Sequence, residues 1–140
     1  MLFPKKVKHR KWQSARLSVV KRNRPESKGI TVSFGAFGLK AESQARVMSN
    51  QIEAARRAMT RNAGKTAKIW VRIFPDRPVT QKAAEVGMGK GKGDPQGYCF
   101  EVRPGRILFE IDGVTETVAR DSLRKAGCKL PVLTKVVARN

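Results

Sequence analysis

YCFEVRPGRILFEI, Tyr98 to Ile111, is the stretch on which the fold turns. Two extended segments, Tyr98 to Arg103 and Arg106 to Ile111, flank Pro104-Gly105, and Pro at i+1 with Gly at i+2 is what a type II turn demands. The spacing therefore predicts a β-hairpin, with Phe100, Val102, Ile107, Phe109 and Ile111 facing the core. Downstream, Asp112-Gly113 turns the chain into a helix capped near Thr115 with Glu116 in its first turn. Ala119, Leu123 and Ala126 form its buried stripe, Gly127 closes it, and Val132 to Val137 reads as a last strand. Upstream, Lys68 to Phe74 (KIWVRIF) is β-branched and aromatic, with Ile69, Val71 and Ile73 on one face and Trp70, Arg72 and Phe74 on the other, until Pro75 ends it. A helix precedes it, opened by Asn50 as N-cap with Glu53 three residues on and stopped by Gly64. Earlier still, Ile30, Val32 and Phe34 alternate as a half-buried strand does. Phe34-Gly35-Ala36-Phe37-Gly38 then implies a bulge or a tight backbone approach. Strands and helices mix without a βαβ repeat, so the expected class is α+β, a mainly antiparallel sheet with two helices.

With 140 residues the chain is expected to hold one such domain, 30–140, behind a basic N-terminal arm, 1–29. Pro75 to Gly97 lacks convincing periodicity and is expected to be a long functional loop. Thirty Lys and Arg against 11 Asp and Glu leave a net charge of +19, a surface that repels itself unless a polyanion neutralises it. No stretch approaches the roughly 18 apolar residues of a membrane span, and Lys5-Lys6 follow Met1 to Phe3 with no apolar signal core. No membrane partner is expected. His9 is the only histidine and Cys99 and Cys128 the only cysteines, so structural zinc is excluded and both thiols are expected as small core residues in a reducing compartment.

Three features point to a polyanion. The arm interleaves Lys5, Lys6, Lys8, His9, Arg10 and Lys11 with Phe3 and Trp12, the pattern of phosphate contacts beside a stacking platform. On the first helix, Ile52, Ala55 and Met59 make a narrow apolar stripe, while Arg56, Arg57 and Arg61 share another face with Glu53 and Thr60. Only Glu53 stands at i,i+4 to an arginine, Arg57, so an external anion is the better partner. The long loop carries Gly87-Met88-Gly89-Lys90-Gly91-Lys92-Gly93, a slender backbone able to enter a narrow space and touch phosphates with amides and ammonium groups. It is not a nucleotide-binding loop: Gly64-Lys65-Thr66 has Met59 where the first glycine belongs, and the Gly/Lys loop precedes a strand. Catalysis finds no support, because a nucleophilic triad would have to recruit His9 from the arm. Glu101 and Glu110, expected as cross-strand neighbours, are better matched to Arg103 or Arg106 than to a substrate. No cofactor or metal is implied.

The chain resembles the universal large-subunit ribosomal protein family "L sixteen", whose archaeal and eukaryotic counterpart is "L ten-e". The matches are MLFPKKVKHRKW at 1–12, VSFGAFGLKA at 32–41, QIEAARRAMTRNAGKTAKIWVRIFPDRPVT at 51–80, MGKGKG at 88–93 and RPGRILFEIDGV at 103–114. The resemblance implies an alpha/beta-hammerhead type of α+β domain working in the ribosome of the cytoplasm. It implies binding to large-subunit ribosomal RNA near the peptidyl transferase centre and contact with transfer RNA in the A site, with the P site as a further contact. Partners would be that RNA, A-site transfer RNA and neighbouring ribosomal proteins, with no homo-oligomer. Lys5, Lys6, Lys8, His9, Arg10, Lys11, Trp12, Arg56, Arg57 and Arg61 would meet ribosomal RNA, and Gly87 to Gly93 would be the tip directed at transfer RNA. An RNA-processing or modifying enzyme with a basic groove is the competing reading, and the sequence offers it no convergent carboxylates. The chain departs from the family in two places. Gly87 stands where many bacterial members carry an arginine that some hydroxylate, and Ser14 to Gly29 replaces a short Gly/Arg-rich run.

Overall fold

Every residue from Ile107 to Ile111 is buried, because the strand they form lies in the middle of a sheet covered on both faces. The computed structural model describes residues 1–13 and 18–140, so Arg16 of the basic arm lies outside the described residues. In chain order the elements are α1 (Val19–Arg22), β1 (Phe37–Ala41), β2 (Ala45–Met48), α2 (Ser49–Ala63), β3 (Lys68–Val71), β4 (Arg77–Gln81), β5 (Asp94–Val102), β6 (Ile107–Asp112), α3 (Glu116–Gly127) and β7 (Thr134–Ala138). They build two antiparallel sheets, β3-β6-β1-β7 and β2-β5-β4. The α+β class with antiparallel pairing is as expected; α1 is an additional single turn.

The first sheet packs one face on α2 and α3. Leu39, Phe109 and Ile111 from the strands meet Ile52, Ala55 and Met59 of α2 and Ala119, Leu123 and Ala126 of α3, the two helical stripes legible in the sequence. Burying each large apolar side chain contributes roughly 1.5–3 kcal/mol. The helix ends obey local chemistry. Gly64 caps α2 with φ +80°, and its N–H donates to Thr60 O. At the other end α2 starts at Ser49, before the expected Asn50 cap. Gln51 Oε1 accepts from Met48 N–H at 2.9 Å, and Glu53 is left free to face the arginines.

The decisive turn forms, but the hairpin does not. Arg106 N–H donates to Arg103 O at 3.3 Å and Gly105 takes φ +99°, so the chain turns where Pro104-Gly105 requires. The flanking groups bond elsewhere: Gly105 N–H to Ala41 O, Ala41 N–H to Arg106 O and Ile107 N–H to Gly29 O, all at 2.7–2.8 Å. With those groups taken, β5 joins β2 and β4 while β6 joins β1 and β3. Glu101 and Glu110 are therefore on different sheets. Glu101 pairs with Arg46 (3.3 Å) and Arg77 (2.5 Å), and Glu110 with Arg72.

Five further expectations are corrected. Ile30 to Phe34 is not a strand, because the N–H groups of Ser33, Phe34 and Gly35 donate to the Glu110 carboxylate instead of a ladder. The strand expected to run to Phe74 stops at Val71, although Arg72 N–H still reaches Leu108 O. The expected 75–97 loop shrinks to 82–93, since β4 and the start of β5 pair across it. Cys128 is exposed at the end of α3, unlike buried Cys99. The final strand begins at Thr134 and leaves Val132 buried beneath it.

Candidate nucleic-acid interface

The arm is anchored at both of its described ends. Leu2 packs on the core, and Met1 and Leu2 share a hollow of about 520 Å³ with Glu53, Arg56 and Phe100. Ten residues on, Lys11 Nζ donates to Lys92 O at 3.1 Å and lies 3.8 Å from Asp94 Oδ1, while Lys92 Nζ donates to Trp12 O. Lys5, Lys6, Lys8, His9 and Arg10 between these anchors are exposed, and Trp12 is 43% exposed. The arm thus runs from Glu53 and Arg56 of α2 to the base of the Gly/Lys loop.

That loop stands clear of the body. Ala83 to Lys92 are all exposed, Met88 fully so. Gly89, Lys90 and Gly91 all have left-handed backbone, φ +99°, +54° and +92°, and Lys82 Nζ donates back to Gly89 O. Left-handed backbone costs a non-glycine residue roughly 1–2 kcal/mol, so Lys90 is held by the curl of its glycine neighbours. Gly93 belongs to the base: a Cβ there would lie 2.6 Å from the Gln81 carbonyl carbon, so this glycine lets the β4–β5 pair close.

On α2 the three arginines differ. Glu53 accepts from Arg56 at 2.5 and 3.1 Å and from Arg57 at 3.1 Å. Its side chain is 16% exposed. The Arg56 hydrogen bonds, assisted by Arg57 and opposed by burial, hold its carboxyl down at about 2. Arg61 is exposed, with no carboxylate in ion-pairing range among the described residues. Arg57 and Arg61 also border a groove of about 650 Å³ floored by Ala54 and Ala58, whose far side is Lys125, Cys128 and Lys129 of the α3 end. Lys125 donates to Asn62 Oδ1 and pairs with Asp121 at 2.7 Å. Sequence reasoning missed Lys125 and Lys129. Their i,i+4 spacing was visible, but that α3 lies beside α2 was not.

The structure therefore ties the arm to the Arg56 side of α2 at one end and to the loop base at the other, while Arg57 and Arg61 line a separate groove beside the α3 end. Among the described residues no three His, Cys, Asp or Glu side chains gather as a metal site, and no helix is long and apolar enough to cross a membrane. Fold and surface together define a class: a basic α+β protein shaped to meet a polyanion. The comparisons make it specific. Residues 4–137 match the family described as ribosomal protein L16p/L10e, and the chain belongs to that family. It is 51% identical over 139 residues to the large ribosomal subunit protein uL16 of Afipia carboxidovorans, an alignment covering 99% of this chain and 98% of the relative. A member of this family is a structural constituent of the ribosome and not an enzyme, which removes the RNA-processing alternative.

Proposed function

We propose that the chain is a structural protein of the large ribosomal subunit in the cytoplasm, which binds large-subunit ribosomal RNA near the peptidyl transferase centre and reaches A-site transfer RNA with the 82–93 loop. One observation carries the reading. Lys11, Trp12 and Lys92 are hydrogen-bonded across about 80 residues of sequence, so the arm and the loop base form one basic unit and not two separate tails. In this reading Lys5, Lys6, Lys8, His9, Arg10, Lys11 and Trp12 lie along RNA backbone and bases, Arg57 and Arg61 neutralise phosphates beside them, and Arg56 divides its charge between Glu53 and RNA. The loop then projects past that contact, its glycines admitting a close approach and Lys90 supplying charge at the tip. Neighbouring ribosomal proteins complete the environment. Sedimentation of the tagged chain with large subunits in high-salt gradients tests the assignment: co-migration is expected, and a free protein at the top of the gradient would refute it.

A further inference from the structure

The face of the first sheet turned away from α2 and α3 carries a feature that neither the core nor the basic arm, helix face and loop use. Glu110 is fully buried, and its carboxylate accepts from Ser33 N–H at 3.1 Å, Phe34 N–H at 2.6 Å and Gly35 N–H at 2.8 Å as well as from the Arg72 guanidinium. Gly35 is required, because a Cβ there would lie 2.6 Å from Ile111 O. A buried charge is costly unless fully bonded, and here four donors satisfy it. What this clamp holds in place is an aromatic ring in water. Phe34 is 55% exposed, lies nearly parallel to Trp70 (20° between planes, centroids 6.2 Å apart), and has the Arg72 guanidinium 5.0 Å from its centroid. Trp70 is on β3, an edge strand, and strand alternation places Lys68, Trp70 and Arg72 on the same face. Lys68 is exposed, and its partner in register, Asp112, accepts from Gly113 N–H.

The geometry points to Phe34 and Trp70 as a stacking platform for one unpaired RNA base, with Lys68 placed for the adjoining phosphate. Flat, rigidly mounted rings between cations suit a nucleobase, whose π-face stacks on any aromatic, better than a protein side chain, which would need a pocket. The inference rests on the RNA-binding reading above, but it uses none of the residues assigned there.

The full chain with Trp12→Phe leaves Trp70 as its one tryptophan, since the sequence holds two. Titrated at low salt, oligoadenylate should quench its fluorescence, whereas inorganic polyphosphate, which has charge but no bases, should bind without quenching. Phe34→Leu should weaken oligoadenylate binding about 5-fold to 100-fold, leave polyphosphate affinity and melting temperature nearly unchanged, and be rescued by Phe34→Tyr. Equal quenching by the two probes, or oligoadenylate affinity unaltered in Phe34→Leu, would overturn the platform. So would a Phe34→Leu subunit that loses a neighbouring protein while its RNA contacts stay intact. Failure of both probes to bind would instead refute the RNA-binding reading as a whole.

Discussion

Glu110 is the residue on which most of one sheet face depends. Burial pushes its carboxyl up, but the N–H groups of Gly35, Ser33 and Phe34 and the Arg72 guanidinium outweigh burial and hold it below the ordinary value of 4.5. The unfolded chain then takes up this proton at a higher pH than the folded one, so the stabilisation is complete above about 4.5 and is lost as pH falls below that value through the depressed folded one. Glu110→Gln keeps the shape but turns an NH2 group toward donors, whichever way the amide is flipped, and leaves Arg72 half-buried without its counter-charge. Destabilisation on the order of 3 kcal/mol is expected in urea unfolding at neutral pH, and the acid limb of the stability curve should flatten. A variant as stable as the parent at pH 7 would show that the clamp does not hold the segment. Cys128 needs no such role, since it is an exposed thiol at a helix end.

Among the elements, α2 divides structural from functional charge. Arg56 makes two hydrogen bonds to Glu53, whereas Arg57 makes one exposed i,i+4 pair and Arg61 none to a carboxylate among the described residues. Exposed pairs of this kind are worth roughly 0.3–0.5 kcal/mol. The double variant Arg57→Gln/Arg61→Gln should therefore melt within a few degrees of the parent, because surface changes usually stay within about 0.5 kcal/mol each. In filter binding to a ribosomal RNA fragment, its log-log salt slope should fall by about 1 per phosphate contact removed. Unfolding with an unchanged slope would make the face structural. This face was legible because helical periodicity is local, as were α3, the Pro104-Gly105 turn and the apolar run of β6. What hid was non-local. β2 is four residues long and β4 contains Pro78, so neither shows a convincing alternation, and both exist as edges because β5 lies between them. The hairpin reading failed for the same reason: Ala41 and Gly29, more than 60 residues upstream, accept the N–H groups that flank the turn. The link between arm and loop through Lys11, Lys92 and Trp12 was likewise invisible, since no spacing rule connects residues so far apart.

For the whole molecule, 11 acidic side chains cannot absorb 30 Lys and Arg cations, so net charge must dominate association. With roughly 6 to 10 phosphate contacts, affinity for a ribosomal RNA fragment should fall about 10³-fold to 10⁵-fold between about 50 and 200 mM salt, and a flat titration would reject a basic-surface mechanism. The loop adds a contact that mass electrostatics does not describe. Its base is structural, since Gly93 abuts Gln81 and Lys92 is tied to Trp12, whereas Met88 to Gly91 are exposed and Gly89 and Gly91 would meet nothing within 4 Å if a Cβ were added. Deleting Met88 to Gly91 should thus cost the fold little, because closure entropy changes slowly with loop length. Large subunits carrying the deletion should assemble and then bind A-site transfer RNA less tightly, with binding at other sites less affected. Gly87 also faces open space, so Gly87→Arg fits without a clash and should add a cation near the tip, tightening A-site binding modestly. Nitrocellulose binding of A-site transfer RNA to the three kinds of particle measures both effects. Equal affinity in the intact, shortened and Gly87→Arg particles would show that the loop does not touch transfer RNA, and its curled glycines would then have to be explained by the ribosomal RNA around them.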